Sequence, residues 1–171
     1  MKRLFVILFL ITSVLLFAED AEVKNFELFP WEFTKGQLLE FCSDSWSMEI
    51  TNKNIFTITP IKKYVFNKTY SINKITITFD EKKDLIINQK LFFTKSYASL
   101  NFVSLLELMT RDSASIFNNS STMDNEISAV VLRYNTFING LHLAEYYLYY
   151  YSENETQIAV NYLCPVELTN P

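Results

Sequence analysis

The chain has 171 residues, 49% of them hydrophobic and 16% aromatic, with two glycines, four prolines and a formal net charge of −4. That composition excludes collagen-like, low-complexity and glycine-linker organisation. An acidic chain with one histidine, His142, is a poor nucleic-acid binder and cannot assemble a multi-histidine metal site alone, so no nucleic acid, metal or cofactor is expected.

The first twenty residues, MKRLFVILFLITSVLLFAED, place two cations before an apolar run from Leu4 to Phe17, followed by Ala18 and two acids. This is the layout of a secretory signal peptide, and the run falls short of the roughly 20 apolar residues of a membrane-spanning helix. The expectation is a signal peptide over 1–18 and a single β-rich domain over 19–171, exported to the periplasm or the exterior and soluble after cleavage. Loss of Lys2 and Arg3 leaves 13 cations against 19 acids.

Cys42 and Cys164 are the two cysteines. In an oxidising compartment a pair reads first as a disulfide, with two free thiols as the alternative.

Strand chemistry dominates from Trp46 onward. Trp46, Met48 and Ile50 alternate with Ser47, Glu49 and Thr51, then Asn52 to Asn54 turn the chain into Ile55–Thr59. KKYVFNKTY supplies a further aromatic and β-branched strand. Ile75, Ile77 and Phe79 alternate with Lys74, Thr76, Thr78 and Asp80, and the chain returns through Leu85 to Phe93. Asn52 to Lys95 carries nine lysines against three acids. They suit solvated strand faces, or a rim that meets an anionic partner.

Phe102, Leu105, Leu106 and Met109 have the spacing of one helical face after about Ser99. The segment SASIFNNSSTMDNE reads as an exposed loop, so Ser96 to Glu126 could form a mobile cover. Strands resume with ISAVVLRYNTFI, turn at Asn139-Gly140, continue through Leu141 to Tyr151, and finish with Thr156 to Cys164. In that last strand Ile158, Val160, Tyr162 and Cys164 share a face.

These pieces give about eight to ten strands and one short helix. The expected class is mainly β, an antiparallel hairpin-rich barrel with a sandwich as the alternative.

The arrangement resembles the lipocalin-like, calycin-type group of small secreted barrels in its length, its early Trp, its run of antiparallel hairpins and its late cysteine. Lipocalins carry a Gly two residues before the first-strand Trp; here Phe29 precedes Trp31 and Asp44 precedes Trp46 in that place. The resemblance implies a barrel fold and assigns no residue roles.

Little in the chain points to catalysis. With Gly36 and Gly140 as the only glycines there is neither a phosphate-cradling loop nor a nucleophile elbow. His142 and Glu145 lie three apart in a strand, where alternation sends them to opposite sides.

The most informative segment is Leu141 to Leu163, with six of the ten tyrosines. Alternation puts Leu143, Glu145, Tyr147, Tyr149 and Tyr151 on one face, and His142, Ala144, Tyr146, Leu148 and Tyr150 on the other. One face can fill a core; the other needs cover, a partner or solvent.

Three functional expectations follow. The first is a non-enzymatic barrel that binds a small apolar or amphipathic ligand inside, lined by Trp46, Met48 and one tyrosine face, Tyr147, Tyr149 and Tyr151 being the candidates, with Ile75, Ile77 and Phe79 beside them. The second is a module that binds another envelope protein through an exposed tyrosine-rich strand face. The third is an outer-membrane barrel.

Overall fold

The computed structural model describes residues 23–42, 44–152 and 154–165, so the segment read as a signal peptide lies outside the described residues. Among the described residues ten strands and two helices follow one another: β1 (Lys24–Phe26), α1 (Lys35–Phe41), β2 (Trp46–Asn52), β3 (Ile55–Pro60), β4 (Tyr64–Phe66), β5 (Tyr70–Phe79), β6 (Ile86–Phe93), α2 (Ala98–Arg111), β7 (Ala114–Asp124), β8 (Ala129–Ile138), β9 (Leu141–Ser152) and β10 (Glu155–Leu163). The fold is mainly β, as the alternating sequence predicts.

The strands form one sheet in the order β1-β4-β5-β6-β10-β9-β8-β7, with β2 joined through β3 to β5. Every pairing is antiparallel except β1 with β4. The expected barrel does not close. β7 pairs with β8 at one end of the order, and β1 and β2 stand at the other. Side chains from both helices and from the strands fill one continuous core on one face of the sheet.

The open edge is managed by composition. β7 exposes Asn118, Asn119, Ser120, Ser121 and Thr122, a polar row that does not recruit another strand as an apolar edge would. This segment is the expected loop, and it is a strand: its register runs from Ala114 opposite Ile138 to Asp124 opposite Ala129. Pairing to the β-branched stretch of β8 overrides the low strand preference of Asn and Ser.

Two helices form where one was expected. The short α1 starts with a reciprocal cap, Gln37 N–H donating to Thr34 Oγ1 and Thr34 N–H to Gln37 Oε1 at 2.9 Å. The other, α2, starts close to its expected place, but it turns a different face inward. Asn101, Leu105, Leu108 and Met109 are buried, while Phe102 and Leu106 are exposed. Asn101 decides the rotation, because its side-chain amide donates to Thr156 O at 2.9 Å and to Thr156 Oγ1 at 2.8 Å inside the molecule.

The Asn139-Gly140 turn joins β8 to β9 as read. Both residues have positive φ, 52° and 81°, which a tight primed hairpin requires.

Candidate binding face on the outer side of the sheet

β9 lies between β8 and β10, and its alternation is observed as predicted. Ala144, Tyr146 and Leu148 enter the main core, whereas Tyr147, Tyr149 and Tyr151 belong to a second cluster with Val131, Ala159 and Phe92. A one-residue step along one strand therefore separates two environments.

On the inner side, the hydroxyls of Tyr146 and Tyr162 both donate to Asp112 Oδ2, at 2.6 Å and 2.8 Å. Asp112 caps the carboxy-terminal end of α2, so these two phenols tie that helix to β9 and β10. Burial first, and Asp112 second, push both phenol pKa values well above the ordinary range.

On the outer side, strand register assembles two rows across the sheet. Arg133, Tyr147, Ala159, Phe92 and Lys74 stand side by side on β8, β9, β10, β6 and β5. One step along, Asn135, Glu145, Asn161, Lys90 and Thr76 do the same. The rings of Tyr147 and Tyr149 lie nearly parallel, 6.0 Å apart and 13° between planes, and Phe92 stands 6.0 Å from Tyr149.

Cations lie on these rings. Lys90 Nζ sits 3.7 Å from the Tyr147 ring centre and donates to Tyr149 Oη at 2.7 Å. Lys74 Nζ is 4.8 Å from the Phe92 ring centre, and Lys95 Nζ is 4.3 Å from that of Tyr151. Such contacts favour the charged amine, yet burial outweighs them at Lys90 and lowers its pKa to about 8, with Arg133 and Lys74 pushing the same way against the pull of Glu145.

Glu145 anchors the second row. Tyr147 Oη donates to its Oε2 at 2.6 Å, Asn161 Nδ2 to the same oxygen at 3.1 Å, and Arg133 pairs with its Oε1. Burial alone would raise this carboxyl; the three donors more than compensate, and its pKa is lowered. His142 Nε2 comes within 3.9 Å of Glu145 Oε1, closer than strict alternation allows. The register shift between Thr136 and Ile138 on the neighbouring strand marks the irregularity that lets them approach.

The five side chains expected to line one ligand site do not meet. Trp46 and Met48 belong to the main core, and Tyr147, Tyr149 and Tyr151 lie on the opposite side of the sheet. Of the two tyrosine faces, the one that shares the core with Trp46 is that of Tyr146. Phe92, Lys90 and Arg133 are the participants that sequence reasoning did not connect to the tyrosines. Alternation within each strand was legible, but the register that brings β6 beside β10 was not.

Cys42 and Cys164, expected as a pair, stand in the structure as free thiols. Cys42 is buried at the end of α1 within the main core, and burial raises its pKa to about 11. Cys164 instead lines a cavity of about 40 Å³ with Trp31, Glu32, Ile86 and Ile87. A wider open groove of about 660 Å³ runs past Asn52, Ile55, Thr78, Asp80 and Lys82. Neither concavity is lined by the tyrosine face. Among the described residues no group of three or more His, Cys, Asp or Glu side chains is placed to hold a metal ion.

Comparison with models of known families, with curated proteins and with solved structures finds no match for this chain.

Proposed function

We propose that this chain is an exported, non-enzymatic binding module that engages another envelope protein through the outer face of β9 and its neighbours. One observation carries the reading: Tyr147, Tyr149 and Tyr151 lie on the side of the sheet away from the main core, ringed by Lys74, Lys90, Lys95 and Arg133. Tyrosine and arginine supply broad contact with hydrogen-bonding tips, the chemistry enriched in protein interfaces. Polar capacity is also left over there: Arg133 Nε, Asn135 Oδ1 and Asn161 Oδ1 are buried without a hydrogen-bond partner among the described residues.

An apolar ligand inside the fold has less support. Trp46, Ile75, Ile77 and Phe79, which would line its site, are packed into one core with 3% or less of their surface exposed. A membrane-spanning barrel has less still, since such a barrel needs a closed sheet and this one is open.

The test is site-specific photo-crosslinking in the source cell, with the reactive side chain placed at Tyr151. A discrete protein adduct that disappears when Tyr147 is changed to Ser, in a variant with unchanged circular dichroism, supports the reading. No adduct from Tyr151, or equal adducts from a control position at Thr59, overturns it.

A further inference from the structure

The helix α2 is apolar on both sides. Its inner side packs on β9, β10 and β7 through Leu105, Leu108 and Met109. Its outer side carries Leu100, Val103 and Leu106 at a spacing of three, with 59%, 54% and 45% of their surface exposed, flanked by Tyr97 at 59% and Phe102 at 46%. Helical spacing puts the first three on one stripe. An open groove lined by Val103, Leu106, Glu107, Thr110 and Arg111 runs along it. Isolated exposed hydrophobic residues need no explanation, but four on one fourteen-residue helix, with a fifth at its N-cap, do.

The surrounding charge says what covers them. Basic side chains stand at the carboxy-terminal end of the stripe, where Arg111 lies in the last turn; Lys95, just before the helix, is turned instead to Glu155 and the Tyr151 ring. Arg111 reaches across to Asn67 O at 3.3 Å, which places the exposed Lys68 beside it. The first turn contains no acid. Glu107, the acid on this helix, is held by the Tyr70 hydroxyl at 3.3 Å. An apolar stripe with basic residues beside it is the arrangement by which helices lie in the boundary layer of a membrane, the side chains entering the acyl region and the cations meeting lipid phosphates.

We infer that α2 docks this protein on an anionic lipid bilayer, with Leu100, Val103 and Leu106 inserted and Lys68 and Arg111 on the headgroups. The inference is independent of the proposed protein partner, because the tyrosine cluster is on the other side of the sheet from the strand faces that α2 covers.

The test uses the full chain with Val103→Trp, which places an indole on the stripe, and vesicles of phosphatidylglycerol and phosphatidylethanolamine brominated on the acyl chains. Quenching of that indole, in excess of any quenching in the parent chain, is expected to weaken as salt rises. Its vesicle affinity should fall roughly tenfold or more when Leu100 and Leu106 are changed to Ser, and several-fold with Lys68→Gln and Arg111→Gln. Vesicle binding without quenching at position 103 overturns the inference, since another segment then holds the membrane. A reversible dimer that the same serine changes abolish, with no quenching, overturns it in favour of a second copy. If the double serine variant does not fold by circular dichroism, Leu100→Gln alone supplies the same comparison.

Discussion

Tyr146 and Tyr147 are neighbours in the chain, and their hydroxyls bond to carboxylates on opposite sides of the sheet: Tyr146 to Asp112 at 2.6 Å, Tyr147 to Glu145 at 2.6 Å. The first closes the core under α2; the second belongs to the outer face.

Removing the Tyr146 hydroxyl is therefore a stability change. Tyr146→Phe should cost about 1.5–3 kcal/mol, the range for a hydrogen bond to a charged group, and Tyr162→Phe somewhat less. The double variant should depart from the sum of the single changes, because both phenols share Asp112 Oδ2. Urea denaturation of the four proteins measures the coupling directly. Strict additivity would mean that the two hydroxyls act independently.

The same phenols set an alkaline limit. Their folded pKa values lie above the ordinary value of about 10, so the folded state holds protons that the unfolded chain loses. Their contribution is fully present below pH of about 10 and is lost as pH rises beyond it. In a phenolate absorbance titration, Tyr146 and Tyr162 should ionise only together with unfolding.

Lys90 works in the opposite sense. Its pKa falls to about 8 in the folded protein from 10.5, so between those values the unfolded chain binds a proton that the folded chain does not. This group alone makes stability rise with pH across that window and leaves it constant below. After reductive methylation with a ¹³C label, one lysine resonance should titrate near pH 8 and vanish in Lys90→Met.

Asn101 tests why α2 turns the face it does. Asn101→Ala should destabilise by about 1–3 kcal/mol, since Thr156 then loses two buried hydrogen bonds, and amide exchange should accelerate along α2. Asn101→Leu, apolar but without donors, should not restore the loss.

Thiol chemistry separates the two cysteines. With Ellman's reagent on the native protein, the half-buried Cys164 should react before the buried Cys42, whose thiol is pushed up to about 11. Both should react in denaturant. Failure of either to react there, without reductant, would show that the bridge forms after all.

How much of this was legible in the sequence follows the range of each interaction. Alternation is local, and it correctly divided Tyr146 from Tyr147 and Ile75 from Thr76. Turn chemistry at Asn139-Gly140 is local too. The face of α2 was misread because its deciding contact, Asn101 with Thr156, spans 55 residues, and no helical periodicity marks an asparagine as inward. β7 was misread because its own residues are poor strand formers and its partner supplies the ladder. The outer face depended on β6 beside β10, a pairing between strands that are distant in the chain.

The uninterrupted register of β9, from Ala144 opposite Thr136 to Tyr150 opposite Val130, also constrains how this chain can change length. One residue inserted between Tyr146 and Tyr147 would carry everything beyond it to the wrong side, turning the outer-face phenols into the core and Leu148 out of it. The strand ends are more forgiving: the register already shifts between Thr136 and Ile138 and between Glu155 and Thr156. Descendants of the same ancestral gene should accordingly gain and lose residues at the Asn139-Gly140 hairpin and around Glu155, and keep the seven positions from Ala144 to Tyr150 intact.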